Sequence, residues 1–165
     1  MGPALLFGAP SRRLIHLPTF LLANIIVDIE PLLVWRLHLN YPVHGFFHTF
    51  LSAVLVGTLL GYFMYWLEPF LHDIYSALRL VPETKLHLRH FIAAGIIGII
   101  LHVVLDSIVY TNITPLYPLQ VNPFYTPGSM STVVDFCVKS FIVGLAFYII
   151  VLIREQVFTR RLRKY

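Results

Sequence analysis

The sequence predicts an all-α integral membrane protein, built as a bundle of four transmembrane helices. Its composition is 58% hydrophobic and only 12% charged, with a mean hydropathy of +0.77, which exceeds what a soluble domain needs. Four apolar stretches are long enough to cross a hydrocarbon core of roughly 30 Å. They are residues 14–35, 46–67, 91–110 and 132–153. Because these stretches use up the chain, residues 1–165 are expected to form one membrane domain.

Positive charge is distributed unequally between the two sides of the predicted bundle. Ten lysines and arginines lie at the two termini and in the middle connection, against one in the first connection. The positive-inside rule then places both termini in the cytoplasm, with the protein in the cell membrane. The same charges lie at the ends of spans, where they suit lipid headgroups, and they form no face for nucleic acid. The oligomeric state stays open, and a homo-oligomer is one of the alternatives.

Two connections carry structure of their own. Between the second and third spans, apolar residues from Leu71 to Leu78 recur at helical spacing before Pro82, which predicts a short interfacial helix on the cytoplasmic side. The connection at 111–131 contains four prolines and several aromatic residues, and it predicts an ordered external cap. Within the spans, Gly57 and Gly61 recur every fourth residue and predict close helix packing.

Eight ionisable residues from all four spans are predicted to lie in one leaflet. Such residues are costly within a membrane and normally face a bundle interior or a functional site. The eight are Asp28, Glu30, His44, His48, His102, Asp106, Asp135 and Lys139. Their shared depth predicts a polar site near the outer membrane surface.

Two pairs among these residues have the spacing of helical metal ligands. His44 with His48, and His102 with Asp106, are four residues apart and would each present two ligands on one helix face. Imidazole and carboxylate ligands suit zinc first, with manganese or iron as alternatives, and the ligand number allows one or two ions. The sequence therefore predicts a divalent metal site.

Each pair also has a structural alternative. The first histidine pair could lie in headgroup water, and the His102–Asp106 pair could tie helices together. The Asp135–Lys139 pair is first interpreted as an ion pair within one helix. The other histidines are expected on the surface: His16, His38, His72, His87 and His90.

Asp28 and Glu30 point about 200° apart on a regular helix, so one of them would face away from the bundle. Pro31 disfavours helical geometry at the residue before it, which predicts a kink at Glu30 that turns both carboxylates inward. Asp28, on regular helix, is then the expected metal ligand. Glu30 is the expected general base, with exposure to headgroup water as the alternative.

At these residues the chain resembles the YdjM-like family of membrane-bound metal-dependent hydrolases. The family pattern is P-D-x-D, then H-R-G-x-x-H-S, then H-x-x-x-D before W-P or Y-P. The corresponding segments are VDIEP at 27–31, HGFFHTF at 44–50 and HVVLDSIVYTNITPLYP at 102–118. The resemblance implies that the metal and catalytic residues are Asp28, Glu30, His44, His48, His102 and Asp106. The H-x-x-x-D element is also similar to that of zinc-dependent phospholipase C and single-strand nucleases.

The chain departs from the family pattern at three positions. Val27 replaces the proline, Glu30 replaces the second aspartate, and Gly45 directly follows His44, where the family has arginine. Losing that arginine removes a natural phosphate contact. Lys139 is a candidate replacement that would bind the substrate anion.

These observations predict a membrane-embedded, metal-dependent hydrolase that cleaves a phosphoester or ester bond of a lipid at the outer headgroup level. Asp106 would act as ligand and catalytic group beside Glu30, and Tyr117 in the cap would contact the substrate. The alternative is a non-catalytic protein that binds or transports a metal ion. The membrane lipid is the expected environment in both cases.

Overall fold

The computed structural model describes residues 2–82 and 86–162, with side chains described as far as Arg154. Within these ranges the chain is helical and has no strand. Four segments are long and apolar enough to cross a membrane: Leu17–Leu37, Phe50–Ala77, Leu88–Val109 and Met130–Arg154. The predicted all-helical fold with four candidate spans is therefore confirmed. The ends differ from the predicted ends by one to four residues, except that the second span continues ten residues further, to Ala77.

The first span consists of two helices, α2 (Leu17–Ile26) and α3 (Ile29–Leu37), which follow a short N-terminal helix α1 (Gly2–Ser11). The regular hydrogen-bond pattern is interrupted between them, where Asp28 N–H donates to the carbonyl of Ile25. Pro31 falls in the first turn of α3, where its missing N–H costs little. The predicted break is therefore present, but it lies at residues 27 and 28 and not at Glu30.

The helices α4 (Phe50–Ala77) and α5 (Leu88–Val109) form the centre of the bundle. Their backbones approach closely at Gly57, where an added Cβ would lie 2.7 Å from the backbone nitrogen of Ile96. Gly61 makes an equally close approach to Ile92. The tight packing predicted from these glycines is confirmed.

The last helix, α6 (Met130–Leu162), lies at the edge of the bundle and packs mainly on α1. The backbones of Gly144 and Leu6 are in close contact, and Gly2 lies against Cys137. With ten residues, α1 is about 15 Å long and too short to cross the membrane. This helix was not predicted, because its mixture of glycine, proline and alanine carries no helical periodicity.

The predicted interfacial helix is wrong as a separate element. Residues 71–77 continue α4, which passes through Pro69 without ending. The continuation is held by packing, since Tyr75 contacts the central apolar core. The termini Met1 and Tyr165, predicted to be cytoplasmic, lie outside the described residues.

The connection at 110–129 has defined contacts with the ends of α4 and α5. Phe50 N–H donates to the carbonyl of Pro115 at 2.9 Å, and Asn122 donates to the carbonyl of Ser107 at 2.8 Å. Ser129 donates to the carbonyl of Ile108. These bonds tie the connection to the same end of the bundle as Asp106. That this connection lies outside the cell stays a prediction.

Candidate metal centre

Four side chains from three parts of the chain come together near one end of the bundle. Asp28, His48, His102 and Asp106 each offer one ligand atom, and these atoms all lie within 4.8 Å of one another. Asp28 is supplied by the break between α2 and α3, and His48 by a single 3₁₀ turn before α4. The other two lie on α5. This group, named here the metal centre, has the composition and spacing that can hold a metal ion.

The two ligands on α5 have the geometry that the sequence predicted. His102 Nε2 lies 3.1 Å from Asp106 Oδ2, as their four-residue separation on one helix face requires. The same nitrogen lies 3.5 Å from Asp28 Oδ1. Asp28 is the open member of the group, with 62% of its side chain exposed.

His48 is fully buried and held from its far side by Glu30. Its Nδ1 lies 3.1 Å from Glu30 Oε2, and its Nε2 points into the group, 3.7 Å from Asp106 Oδ2. Since a carboxylate accepts hydrogen bonds, the proton belongs on Nδ1 and leaves the Nε2 lone pair free. That buried Nε2 has no hydrogen-bond partner among the described residues.

His102 is oriented in the same way by a different acceptor. Its Nδ1 lies 2.8 Å from the carbonyl oxygen of Asn24 on α2, so the proton again belongs on Nδ1. Its Nε2 lone pair then faces the carboxylates of Asp28 and Asp106. Lone pairs and carboxylates at this distance repel unless a positive centre lies between them, either a metal ion or a second proton on the ring.

The sequence did not indicate that Asn24 would orient His102. The signal available was weak, because a single asparagine in an apolar stretch commonly bonds within its own helix. Asn24 does so as well, donating through its side-chain amide to the carbonyl of Phe20. Only its backbone oxygen contacts His102, and backbone contacts of this kind have no sequence signature.

Glu30 lies behind His48 and not inside the metal centre. Its carboxylate accepts hydrogen bonds from the backbone N–H of Gly45 at 2.9 Å and of Phe47 at 3.1 Å, in addition to His48. Three donors therefore hold it to the segment before α4. This position suits a residue that orients His48, whereas the sequence predicted a general base.

The predicted helical pair of His44 and His48 is wrong in its geometry. Thr49 caps α4, because its hydroxyl accepts from the N–H of Ser52, so the helix begins at Phe50. His44 lies in the preceding connection and does not belong to the four-residue metal centre. Its ring nevertheless lies 4.8 Å from that of His48, and its Nδ1 is 3.2 Å from Asn112 Oδ1.

The environment of His44 favours its neutral form. Burial lowers the pKa of the His44 imidazole, and a charge on His48 lowers it further. The hydrogen bond with Asn112 and the carboxylates of Asp106 and Glu30 raise this pKa without offsetting the burial. A neutral imidazole beside the metal centre can accept or donate one proton.

The two predicted substrate contacts lie in different surroundings. Tyr117 is half-exposed and lines a cavity that also contains His44. Lys139 Nζ lies 2.6 Å from Asp135 Oδ2, and both side chains are more than half exposed. The ion pair given as the alternative for these two residues is therefore present.

A second polar cluster lies at the other end of the bundle, where surface histidines were expected. His16 is fully buried, with Nε2 3.0 Å from Glu68 Oε2, and its ring stacks on Phe91 at 4.0 Å. His72 is half-exposed and contacts the other oxygen of Glu68 at 3.0 Å. The predicted surface position is wrong for His16, because the turn after α1 folds this residue between α4 and α5.

No protein-family model, curated protein or solved structure matches the chain. The resemblance to the YdjM-like family therefore stays a prediction. Fold and site together are those of a helical membrane protein with a candidate metal centre near one end of its bundle.

Proposed function

We propose that the chain is a membrane-embedded, metal-dependent hydrolase that cleaves a phosphoester or ester bond of a lipid-like substrate. The observation that carries the proposal is the shared orientation of His48 and His102. Both rings are held at Nδ1 by an acceptor and direct Nε2 at carboxylates, which is the arrangement of metal-binding histidines.

A metal bound there would lower the pKa of a water ligand and polarise the scissile bond. Asp28, His48, His102 and Asp106 would hold the ion. Four protein ligands satisfy a tetrahedral ion, so catalysis requires a fifth position or the release of one carboxylate. Asp28 is the candidate for release because it is the most exposed member.

The location of the metal centre supports a lipid as the substrate. Asp106 lies in the last turn of the α5 span, and Asp28 lies within the first span. The end of the α5 span is close to where the phosphoester and ester bonds of a lipid lie in a bilayer, and Asp28 contacts the same group of residues as Asp106. A lipid would reach the metal centre without leaving the membrane.

Metal transport is the alternative, and the second cluster around His16 gives it some support. Phe91, on which His16 stacks, and His102 of the metal centre are eleven residues apart on α5. This corresponds to about 16 Å along the helix, at about 1.5 Å per residue. The intervening layer is buried and apolar, formed by Ala53, Leu60, Met64, Ile99 and Val103. The described residues of this layer carry no charged side chain, and the amide of Asn24 is bonded to the carbonyl of Phe20, which favours the hydrolase.

The test is a metal and lipid assay on the same preparation. The protein in nanodiscs, loaded with zinc or manganese, is expected to retain about one ion per chain and to hydrolyse lipid, measured by elemental analysis and lipid mass spectrometry. His102→Ala and Asp106→Ala should each lose both properties, and the double variant should lose little more. His72→Ala, at the other end of the bundle, is the matched control and should retain both.

Each alternative outcome has a clear meaning. A folded protein that stays metal-free after loading would overturn the metal centre and the hydrolase together. Bound metal without lipid turnover, combined with metal uptake into proteoliposomes, would establish the transport alternative.

A further inference from the structure

Two cavities lie beside the metal centre, one lined by Asp106 and the other by His44. The first is a groove of about 400 Å³ between α5 and α6. The second is a pocket of about 460 Å³ beneath the connection at 110–129. Both volumes are within the range of ligand sites, about 300–1,000 Å³.

The groove starts at the metal centre and has apolar walls. Asp106 lines it, together with Val109 from α5 and Val134, Val138 and Phe141 from α6. The three residues from α6 are about half-exposed, and α6 has few contacts with α5. Since this part of α6 belongs to a candidate span, the groove is open towards the acyl-chain region of a membrane.

The pocket has several polar groups and no charged ones among its lining residues. Its polar groups come from Tyr41, His44, Asn112, Thr114 and Gln120, and its apolar walls include Pro42, Phe46 and the ring of Tyr117. None of the described residues lining it is a lysine, arginine, aspartate or glutamate. Hydroxyl, amide and imidazole groups suit a ligand that presents hydroxyls, whereas a charged ligand group would find no opposite charge.

The two cavities meet the metal centre at neighbouring residues. Tyr110 lines the groove and its ring contacts that of His44, with centroids 4.5 Å apart, and His44 lines the pocket. Asp106 of the metal centre lines the groove, and the ring of His48 lies 4.8 Å from that of His44, which lines the pocket. The middle of a molecule that occupied both cavities would therefore lie beside the metal centre.

We propose that the protein binds a lipid whose acyl chain lies in the groove and whose uncharged, hydroxyl-bearing headgroup lies in the pocket. Only the cleavage step of this inference rests on the proposed function. The binding of the lipid does not depend on it. The bond joining the headgroup region to the chain region then lies at the metal centre. In its hydrolysis the water oxygen bonds to phosphorus or to the acyl carbon, the bond from that atom to the leaving oxygen breaks, and the leaving oxygen takes one proton of the water.

The acyl-chain site can be mapped without catalysis. A phosphatidylglycerol carrying a diazirine in one acyl chain is photolysed in nanodiscs of phosphatidylcholine, with metal-loaded and with metal-free protein. Label is expected at Val134 to Phe141, and excess unlabelled phosphatidylglycerol should reduce it several-fold. Val134→Phe fills the groove and should reduce this label, whereas Val143→Phe is a matched change at an equally exposed position outside the groove and should not.

The headgroup site is tested by competition in the same assay. Phosphatidylglycerol and phosphatidylinositol should compete for the groove label better than phosphatidylserine or phosphatidylethanolamine. Gln120→Leu should reduce that preference, whereas Asn40→Leu, exposed and outside the pocket, should leave it unchanged.

The outcomes separate this inference from the proposed hydrolase. Competed label in the groove without lipid turnover would keep the binding site and remove the hydrolase. Lipid turnover with label spread evenly over α6, as bulk lipid would give, would overturn the groove alone. Equal competition by all headgroups would overturn the assignment of the pocket.

Discussion

Glu30 influences the metal centre through His48. Its carboxylate is occupied by two backbone N–H groups and by the Nδ1 of that histidine, so it faces away from Asp28 and Asp106. A carboxylate in this position fixes the ring orientation and raises the basicity of the coordinating nitrogen. Glu30 is therefore a positioning residue in this geometry.

We expect Glu30→Gln to weaken metal binding by about 10- to 100-fold, the usual effect of losing such a partner. The measurement is a zinc titration against a competing chelator. Asp135→Asn removes another carboxylate, from an exposed ion pair, and should leave the affinity unchanged. Unchanged affinity in Glu30→Gln together with about 100-fold slower hydrolysis would instead establish the general base predicted from sequence.

The His16–Glu68 contact gives a second prediction at the residue scale. His16 is fully buried and its Nε2 faces Glu68 Oε2 at 3.0 Å, so replacing the carboxylate by an apolar group removes the polar contact of a buried nitrogen. We expect Glu68→Leu to lower the free energy of unfolding by about 1–3 kcal/mol. His72→Leu removes the half-exposed partner of the same carboxylate and should lower the free energy of unfolding by clearly less. Denaturant unfolding in detergent is the measurement, and equal effects of the two changes would contradict a structural role for His16.

At the scale of elements, the contact between α4 and α5 depends on Gly57. A larger side chain there would meet the backbone of α5 and push the helices apart. We expect Gly57→Leu to destabilise the protein by about 1–3 kcal/mol, the usual cost of overpacking. Val54→Leu, about half-exposed on the same helix, is the matched control and should cost little. Thermal unfolding of both variants is the check, and similar stability would mean that α4 and α5 separate at no cost.

At the scale of the whole molecule, the charge distribution predicts which end of the bundle faces outwards. In a Cys137→Ser background, Val121→Cys in the connection at 110–129 should react with an impermeant thiol reagent in intact cells. Asp73→Cys, near the other end of α4, should react only after the membrane is opened. The reverse pattern would invert the predicted orientation and place the metal centre at the cytoplasmic side.

The amino-acid sequence by itself determined the features that depend on short-range spacing. Composition and apolar length predicted four helical spans, and the four-residue spacing of His102 and Asp106 predicted that they share a helix face. Pro31 predicted a break in the first span, because the loss of a backbone donor is a local property. The glycines of α4 predicted close helix packing, because the small size of a residue is also a local property.

Only the tertiary structure decided which distant groups face each other. The capping of α4 by Thr49 moved His44 off the helix, and the same segment turned Glu30 towards His48. His16 became buried because the turn between α1 and α2 lies against α4 and α5, and the sequence carries no periodic pattern that indicates this contact. Side-chain direction at a helix end depends on backbone hydrogen bonds from remote segments, such as the bond from His102 to Asn24. Those bonds exist only once the helices have packed.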